Sequence, residues 1–169
     1  RPLPGETPRN SVVEVPRLEQ LLIVKARNVT LEGLIFQQSN WVLPIQGNFC
    51  PQAEMNIPVA VEIVQAQQVT FDRCVFRQLG GYALGFGPGA HSNTVSSCVM
   101  TDLGAGGIKI GPPYIGYVNA EAARNPTGSE MAQEFQKNTS AITIRDSVVR
   151  GGGRIHPAAH GIWVGLSSY

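Results

Sequence analysis

Cys74-Val75-Phe76-Arg77-Gln78-Leu79-Gly80-Gly81-Tyr82-Ala83-Leu84 is answered twenty-four residues later by Cys98-Val99-Met100-Thr101-Asp102-Leu103-Gly104-Ala105-Gly106-Gly107-Ile108. A fixed period of that length marks a repeat architecture, in which no unit can bury its apolar face alone and each must stack on a neighbour. Aligning the chain on this period puts Leu31, Phe71, Val95 and Ile144 in one column and Phe36, Phe76, Met100 and Val149 in another. Both columns are apolar throughout. A third, more mixed column holds Leu34, Cys74, Cys98 and Ser147.

After the glycine-rich turn come the pairs Val61 and Ile63, Leu84 and Phe86, Ile108 and Ile110, Ile162 and Val164. Each pair brackets one outward residue: Glu62, Gly85, Lys109 and Trp163 in turn. That alternation is the period of a half-buried strand. Val29-Thr30-Leu31 and Ala141-Ile142-Thr143-Ile144 are short, β-branched and bounded by turn residues, which favours strand over helix. Short strands recurring once per coil, with like residues in columns, predict an all-β fold: a right-handed parallel β-helix, or solenoid, with rungs about 4.8 Å apart. A sandwich would need hairpin turns between neighbouring strands and has no reason to keep like residues in register.

Two insertions interrupt the coils, one over about 40–58 with Pro44, Gly47, Pro51 and Pro58, the other over about 112–138 with Pro112, Pro113, Pro126 and Gly128. Both are expected as loops on the side of the stack, where long loops on a rigid scaffold often build a binding face. Within the second, 119–124 and 129–137 are rich in Ala, Glu and Gln and predict short helical turns. Residues 1–16 read as a polar, proline-rich lead-in and 17–169 as the β-helix segment, with both ends read as cuts in a longer protein.

Net charge is +1 with a pI near 7.9, which gives no reason to expect nucleic acid as a partner. With 19 Gly and 12 Pro but only 15% charged residues, the chain is rich in turns and sparing of charge. No apolar run approaches the roughly 18 residues that a membrane helix requires, so no membrane span is expected. Arg1-Pro2-Leu3-Pro4-Gly5 lacks the apolar core of a signal peptide. Cys50, Cys74 and Cys98 are an odd count without close ligand spacing, so no metal site is expected, and Cys74 and Cys98 read as a ladder of small buried thiols.

The ordered set Leu79-Gly80-Gly81-Tyr82, Asp102-Leu103-Gly104-Ala105-Gly106-Gly107-Ile108-Lys109-Ile110-Gly111, Gly152-Gly153-Arg154-Ile155-His156-Pro157 and Gly161-Ile162-Trp163-Val164-Gly165 resembles bacterial right-handed parallel β-helix repeat proteins, most closely the branch around glycoside hydrolase family 141. The resemblance runs from about Arg17 to the end. It implies a secreted or periplasmic enzyme acting on plant or microbial polysaccharide, with fucosidase and xylanase activities associated with the family, further coils in the parent chain and no cofactor. Family members often carry an acidic residue where this sequence has Pro112.

Glycoside hydrolysis normally takes two carboxyl groups, one to protonate the leaving oxygen and one to act as nucleophile or to activate water. Asp102 is the first candidate, because it sits before the glycine run where small residues let a sugar approach the backbone. Its repeat mates are Gln38, Gln78 and Gly151, so the turn itself does not demand an acid; an Asp capping its own turn explains the residue equally. Asp146, aligned with Arg73 and Ser97, is the second candidate acid, against a plain surface role. Lys109, Arg154, His156, His160 and Trp163 are the expected substrate-binding residues: a cation beside an aromatic surface, a forked donor for an acidic sugar, and imidazoles able to hydrogen-bond a hydroxyl. A polysaccharide lyase acting on uronates is the alternative, with calcium as its cofactor, and it should show clustered acids, which this sequence lacks. A non-catalytic carbohydrate-binding or structural solenoid is the third reading.

Overall fold

The computed structural model describes residues 4–7, 9–11, 13–47, 52–111, 139–165 and 167–168. Cys50, the second insertion and its expected helical turns at 119–124 and 129–137 therefore lie outside the described residues. Among the described residues the fold is all-β, with parallel pairing in every sheet and no helix.

The chain makes repeated circuits through three sheets. The first circuit lays down β1 (Leu22–Val24), β2 (Arg27–Glu32) and β3 (Ile35–Ser39), and the second lays down β4 (Val59–Ile63), β5 (Gln67–Asp72) and β6 (Val75–Leu79). The third supplies β7 (Tyr82–Phe86), β8 (Thr94–Ser96) and β9 (Val99–Leu103). The fourth supplies β10 (Ile108–Ile110), β11 (Thr139–Ser140), β12 (Thr143–Arg145) and β13 (Val148–Arg150), before β14 (Ile162–Val164) and β15 (Ser167–Ser168) close the described chain. The first sheet runs β1-β4-β7-β10-β14, the second β2-β5-β8-β12, and the third β3-β6-β9-β13, while β11 pairs with β15.

Register follows the repeat alignment. Leu31, Phe71, Val95 and Ile144 are successive partners across the second sheet, and Phe36, Phe76, Met100 and Val149 across the third. In the first sheet, Val61, Leu84, Ile108 and Ile162 are partners, as are Ile63, Phe86, Ile110 and Val164. The inward columns form one core, in which Phe36 stacks on Phe76 at 4.9 Å and Phe71 lies tilted against Phe76 at 6.0 Å. Each such side chain, once fully covered, stabilises the fold by about 1.5–3 kcal/mol, which explains why the period is kept in apolar positions and relaxed elsewhere. Asn93 is a fully buried polar residue beside this core. Its side-chain oxygen accepts from the Val69 amide at 2.9 Å and its side-chain amide donates to the Ala66 carbonyl at 3.3 Å, so both ends are satisfied.

Circuits bend at corners where the backbone is left-handed. Asn28, Gln68, Ser92 and Ala141 share one such corner (φ 57°, 56°, 56° and 51°), and Gly33, Arg73, Ser97 and Asp146 a second (φ 65°, 50°, 54° and 50°). Gln38, Gln78, Asp102 and Gly151 share the third (φ 60°, 53°, 55° and 61°). The corner fixes the conformation and leaves the residue type open, which is why Asp102 stacks with two glutamines and a glycine. Gly80 and Gly104 meet a different demand: a Cβ on Gly104 would overlap the carbonyl oxygen of Gly80 on the adjacent circuit, and a Cβ on Gly80 would overlap the backbone nitrogen of Trp41.

Candidate functional site

On the outer face of the first sheet, Glu62, Gly85, Lys109 and Trp163 are successive register partners. One outward residue per circuit thus presents, at about 4.8 Å intervals, a carboxylate, a gap, an ammonium and an indole. A cleft of about 220 Å³ opens there, lined by Gln20, Glu62, Gly85, Pro88 and Lys109 among others. Gln20 donates its amide to the Glu62 carboxylate at 3.0 Å, which orients the acid at the cleft wall. Gly85 is required by packing, since a Cβ there would come within 2.9 Å of the Val59 side chain.

The first insertion folds back onto the sheet beside this cleft, and its last residue, Pro58, helps to line it. Turns at 52–57 bring the carbonyls of Met55 and Ile57 over the Lys109 ammonium, which donates to them at 3.1 and 2.7 Å and lies 5.2 Å from the centre of the Tyr82 ring. Tyr82 is fully buried and its hydroxyl donates to the Ala53 carbonyl at 2.6 Å while accepting from the His160 amide at 3.2 Å. Ile57, Val59, Tyr82 and Ala105 form a second small core, with Trp41 and Ala159 packed against it. Trp41 meets His156 edge to face at 4.9 Å. His156 is only 7% exposed, and among the described residues its Nε2 has no hydrogen-bond partner. Burial pushes its pKa below the ordinary 6.5, and nearby Glu54 opposes the shift.

The expected site residues divide among these surroundings. Lys109 and Trp163 share the outer column, with Lys109 also clamping the insertion. His156 is buried beneath Trp41, and His160 gives its backbone amide to Tyr82 while its residue stays exposed. Asp102 and Arg154 come together elsewhere, as an ion pair at 2.7 Å beside a shallow cleft of about 270 Å³ that also contacts Pro16, Ser39, Asn40 and Gln78. Among the described residues the Asp102 carboxylate makes no hydrogen bond to its own turn. Both partners are substantially solvated, so the pair is worth about 1 kcal/mol or less.

Asp146 occupies the corner at the start of β13, and Asp102 the corner beside its end. Four residues, Ser147 to Arg150, lie between Asp146 and the Gly151 corner that stacks next to Asp102. At about 3.3 Å per residue the two backbones are on the order of 15 Å apart, at different corners of the circuit.

Glu62, Tyr82 and Trp41 were not among the site residues expected from sequence. Glu62 was legible as an outward residue of the strand period, but nothing local marked the insertion as its neighbour. A column of Thr30, Thr70, Thr94 and Thr143 on the outer face of the second sheet was also passed over, although the repeat alignment contains it. Along the same face, Arg73 pairs with Glu32 and with Asp72, the latter at 2.5 Å. Among the described residues no group of three or more His, Cys, Asp or Glu side chains is arranged to hold a metal ion, and no helix is long and apolar enough to cross a membrane.

No protein-family model, curated protein or solved structure matches this chain.

Proposed function

We propose that the chain is a segment of right-handed parallel β-helix from a carbohydrate-active protein, and that the outer face of its first sheet holds a glycan. The handedness follows from general behaviour: strands joined in parallel within one sheet, as β1 to β4 and β4 to β7 are, cross over right-handedly in about 98% of cases. The observation that carries the functional reading is the register column Glu62, Gly85, Lys109 and Trp163. A carboxylate accepts sugar hydroxyl protons and an indole offers an apolar face to the C–H side of a pyranose. Lys109 stands between them with its ammonium engaged by the Met55 and Ile57 carbonyls, so it holds the insertion in place while Glu62 and Trp163 supply the contacts to sugar.

Binding is favoured over cleavage within the described residues. Glu62 is the sole carboxylate among the cleft's described lining residues, and the acids expected to form a hydrolytic pair, Asp102 and Asp146, sit at separate corners. Hydrolysis and lyase chemistry both require more than this column supplies.

Affinity electrophoresis of the chain through gels containing xylan, a fucosylated glycan or polygalacturonate tests the reading. Retardation by at least one of them is expected, with Trp163→Ala and Glu62→Gln each weakening it about tenfold, the loss of one stacked ring or charge-assisted hydrogen bond. Unretarded migration in all three, or retardation that both variants retain, overturns it.

A further inference from the structure

Cys74 and Cys98 occupy one position on consecutive circuits: the flanking residues Val75 and Val99 are register partners, and the Val99 amide donates to the Cys74 carbonyl at 3.0 Å. Both side chains are fully buried and both thiols are free. In-register neighbours in a sheet are about 4.8 Å apart, inside the roughly 4.4–6.8 Å between Cα atoms that a disulfide spans without backbone movement. The sulfurs lean the same way along the stack, Cys98 toward the Cys74 circuit and Cys74 away from Cys98, so the bond requires only the Cys74 side chain to turn about its χ1. The Cys98 thiol lies 3.5 Å from the Phe71 carbonyl, which belongs to the Cys74 circuit, as well as 3.3 Å from its own Ser96 carbonyl. The Cys74 thiol does the same one circuit earlier, reaching the Leu31 carbonyl at 3.3 Å. Leu34 and Ser147 hold the corresponding position on the outer circuits, so the two thiols are each other's neighbours in the column.

We propose that Cys74 and Cys98 are an oxidation site, and that they form a disulfide stapling the second circuit to the third. With glutathione disulfide as oxidant, one cysteine thiolate attacks a glutathione sulfur, the glutathione S–S bond breaks and a glutathione thiolate leaves. The other cysteine thiolate then attacks the mixed disulfide and expels the second glutathione. Two thiol protons and two electrons pass from the protein to two glutathione molecules. The link closes over β6, β7 and β8, which the core already holds in place.

Burial raises the pKa of the Cys98 thiol, which keeps it protonated in the closed stack. Oxidation therefore belongs to the moment when the third circuit docks on the second, or to transient opening between them. Once formed, the bond is shielded from reductant by the same packing.

Peptide mapping of the unsubstituted chain tests this directly. Trypsin cuts after Arg27, Arg73, Arg77 and Lys109, which places Cys50, Cys74 and Cys98 in the separate peptides 28–73, 74–77 and 78–109. The chain is refolded from urea in a buffer of oxidised and reduced glutathione, its remaining thiols are blocked, and it is digested without reductant. The expected species joins 74–77 to 78–109, at the summed mass less two hydrogens, disappears on reduction, and accompanies a higher urea midpoint than that of the reduced chain. Recovery of both peptides with blocked thiols, or a link from either to 28–73 in its place, overturns the proposal.

Discussion

At the scale of single residues, His156 is the group whose surroundings conflict most with its chemistry. Its ring is buried against Trp41 with Nε2 unpartnered, so the folded chain holds it neutral more strongly than the unfolded chain does. Between the depressed folded pKa and the ordinary 6.5 the unfolded state carries a proton that the native state lacks, and acid favours unfolding there. The contribution is complete above the unfolded value, shrinks as pH falls through it, and levels off below the folded one. Urea midpoints measured from about pH 7.5 down to about pH 5 should fall in the parent and fall less in His156→Gln, across the window where histidine titrates. Equal slopes in the two proteins would show that His156 is not the acid-sensitive group. This residue also marks a limit of sequence reading. Its pattern said glycine-rich turn and substrate-binding imidazole; its burial depends on Trp41, more than a hundred positions earlier, which no local pattern links to it. Asp102 shows the same limit, since its repeat mates placed its corner correctly and its partner Arg154 was legible only as a separate candidate.

Among elements, the corners carry most of the local strain. Non-glycine residues hold left-handed backbone at almost every one, although that conformation costs an L-residue roughly 1–2 kcal/mol. Ser97, exposed at the corner between β8 and β9, should therefore gain about 0.5–1 kcal/mol as Ser97→Gly, after allowance for the extra freedom of glycine in the unfolded chain. Gly151→Ala should lose about 1 kcal/mol, because its neighbours, the nearest at 3.6 Å, leave room for a methyl group and only the φ of 61° resists it. Chemical denaturation of the two variants checks both signs, and a stabilised Gly151→Ala would refute the account of the corners. Strands were legible here because each carries one or two inward apolar residues at a repeated offset, as in Phe36, Phe76, Met100 and Val149. The first insertion lies between β3, which ends at Ser39, and β4, which begins at Val59, and its docking was not legible. Contacts such as Tyr82 with Ala53 and Lys109 with Ile57 join segments that share no period.

The molecule as a whole is a stack in which the strands of each circuit pair only with those of its neighbours, while the first insertion reaches across to Lys109 and His156. Central circuits, β5 to β9, are covered above and below, whereas Ile35, Val148 and Ile162 on the outermost ones remain about half exposed. Stability in such an array is close to a sum of nearest-neighbour contacts, so opening should begin at the ends and work inward. Deuterium exchange should show the amides of β5, β6, β7 and β9 protected well beyond those of β2, β12 and β13. Uniform protection would mean that the stack opens as one unit and that neighbour contacts do not set its order.

The recurrence of the same three left-handed corners has a consequence for how such a chain can change. A circuit that begins and ends in identical backbone geometry can be copied and inserted beside itself without disturbing what flanks it, because the copy inherits the alignment of its template. Length is then nearly free to drift by tandem duplication in steps of one circuit, whereas adding or deleting a single residue inside a strand would turn that stretch inside out.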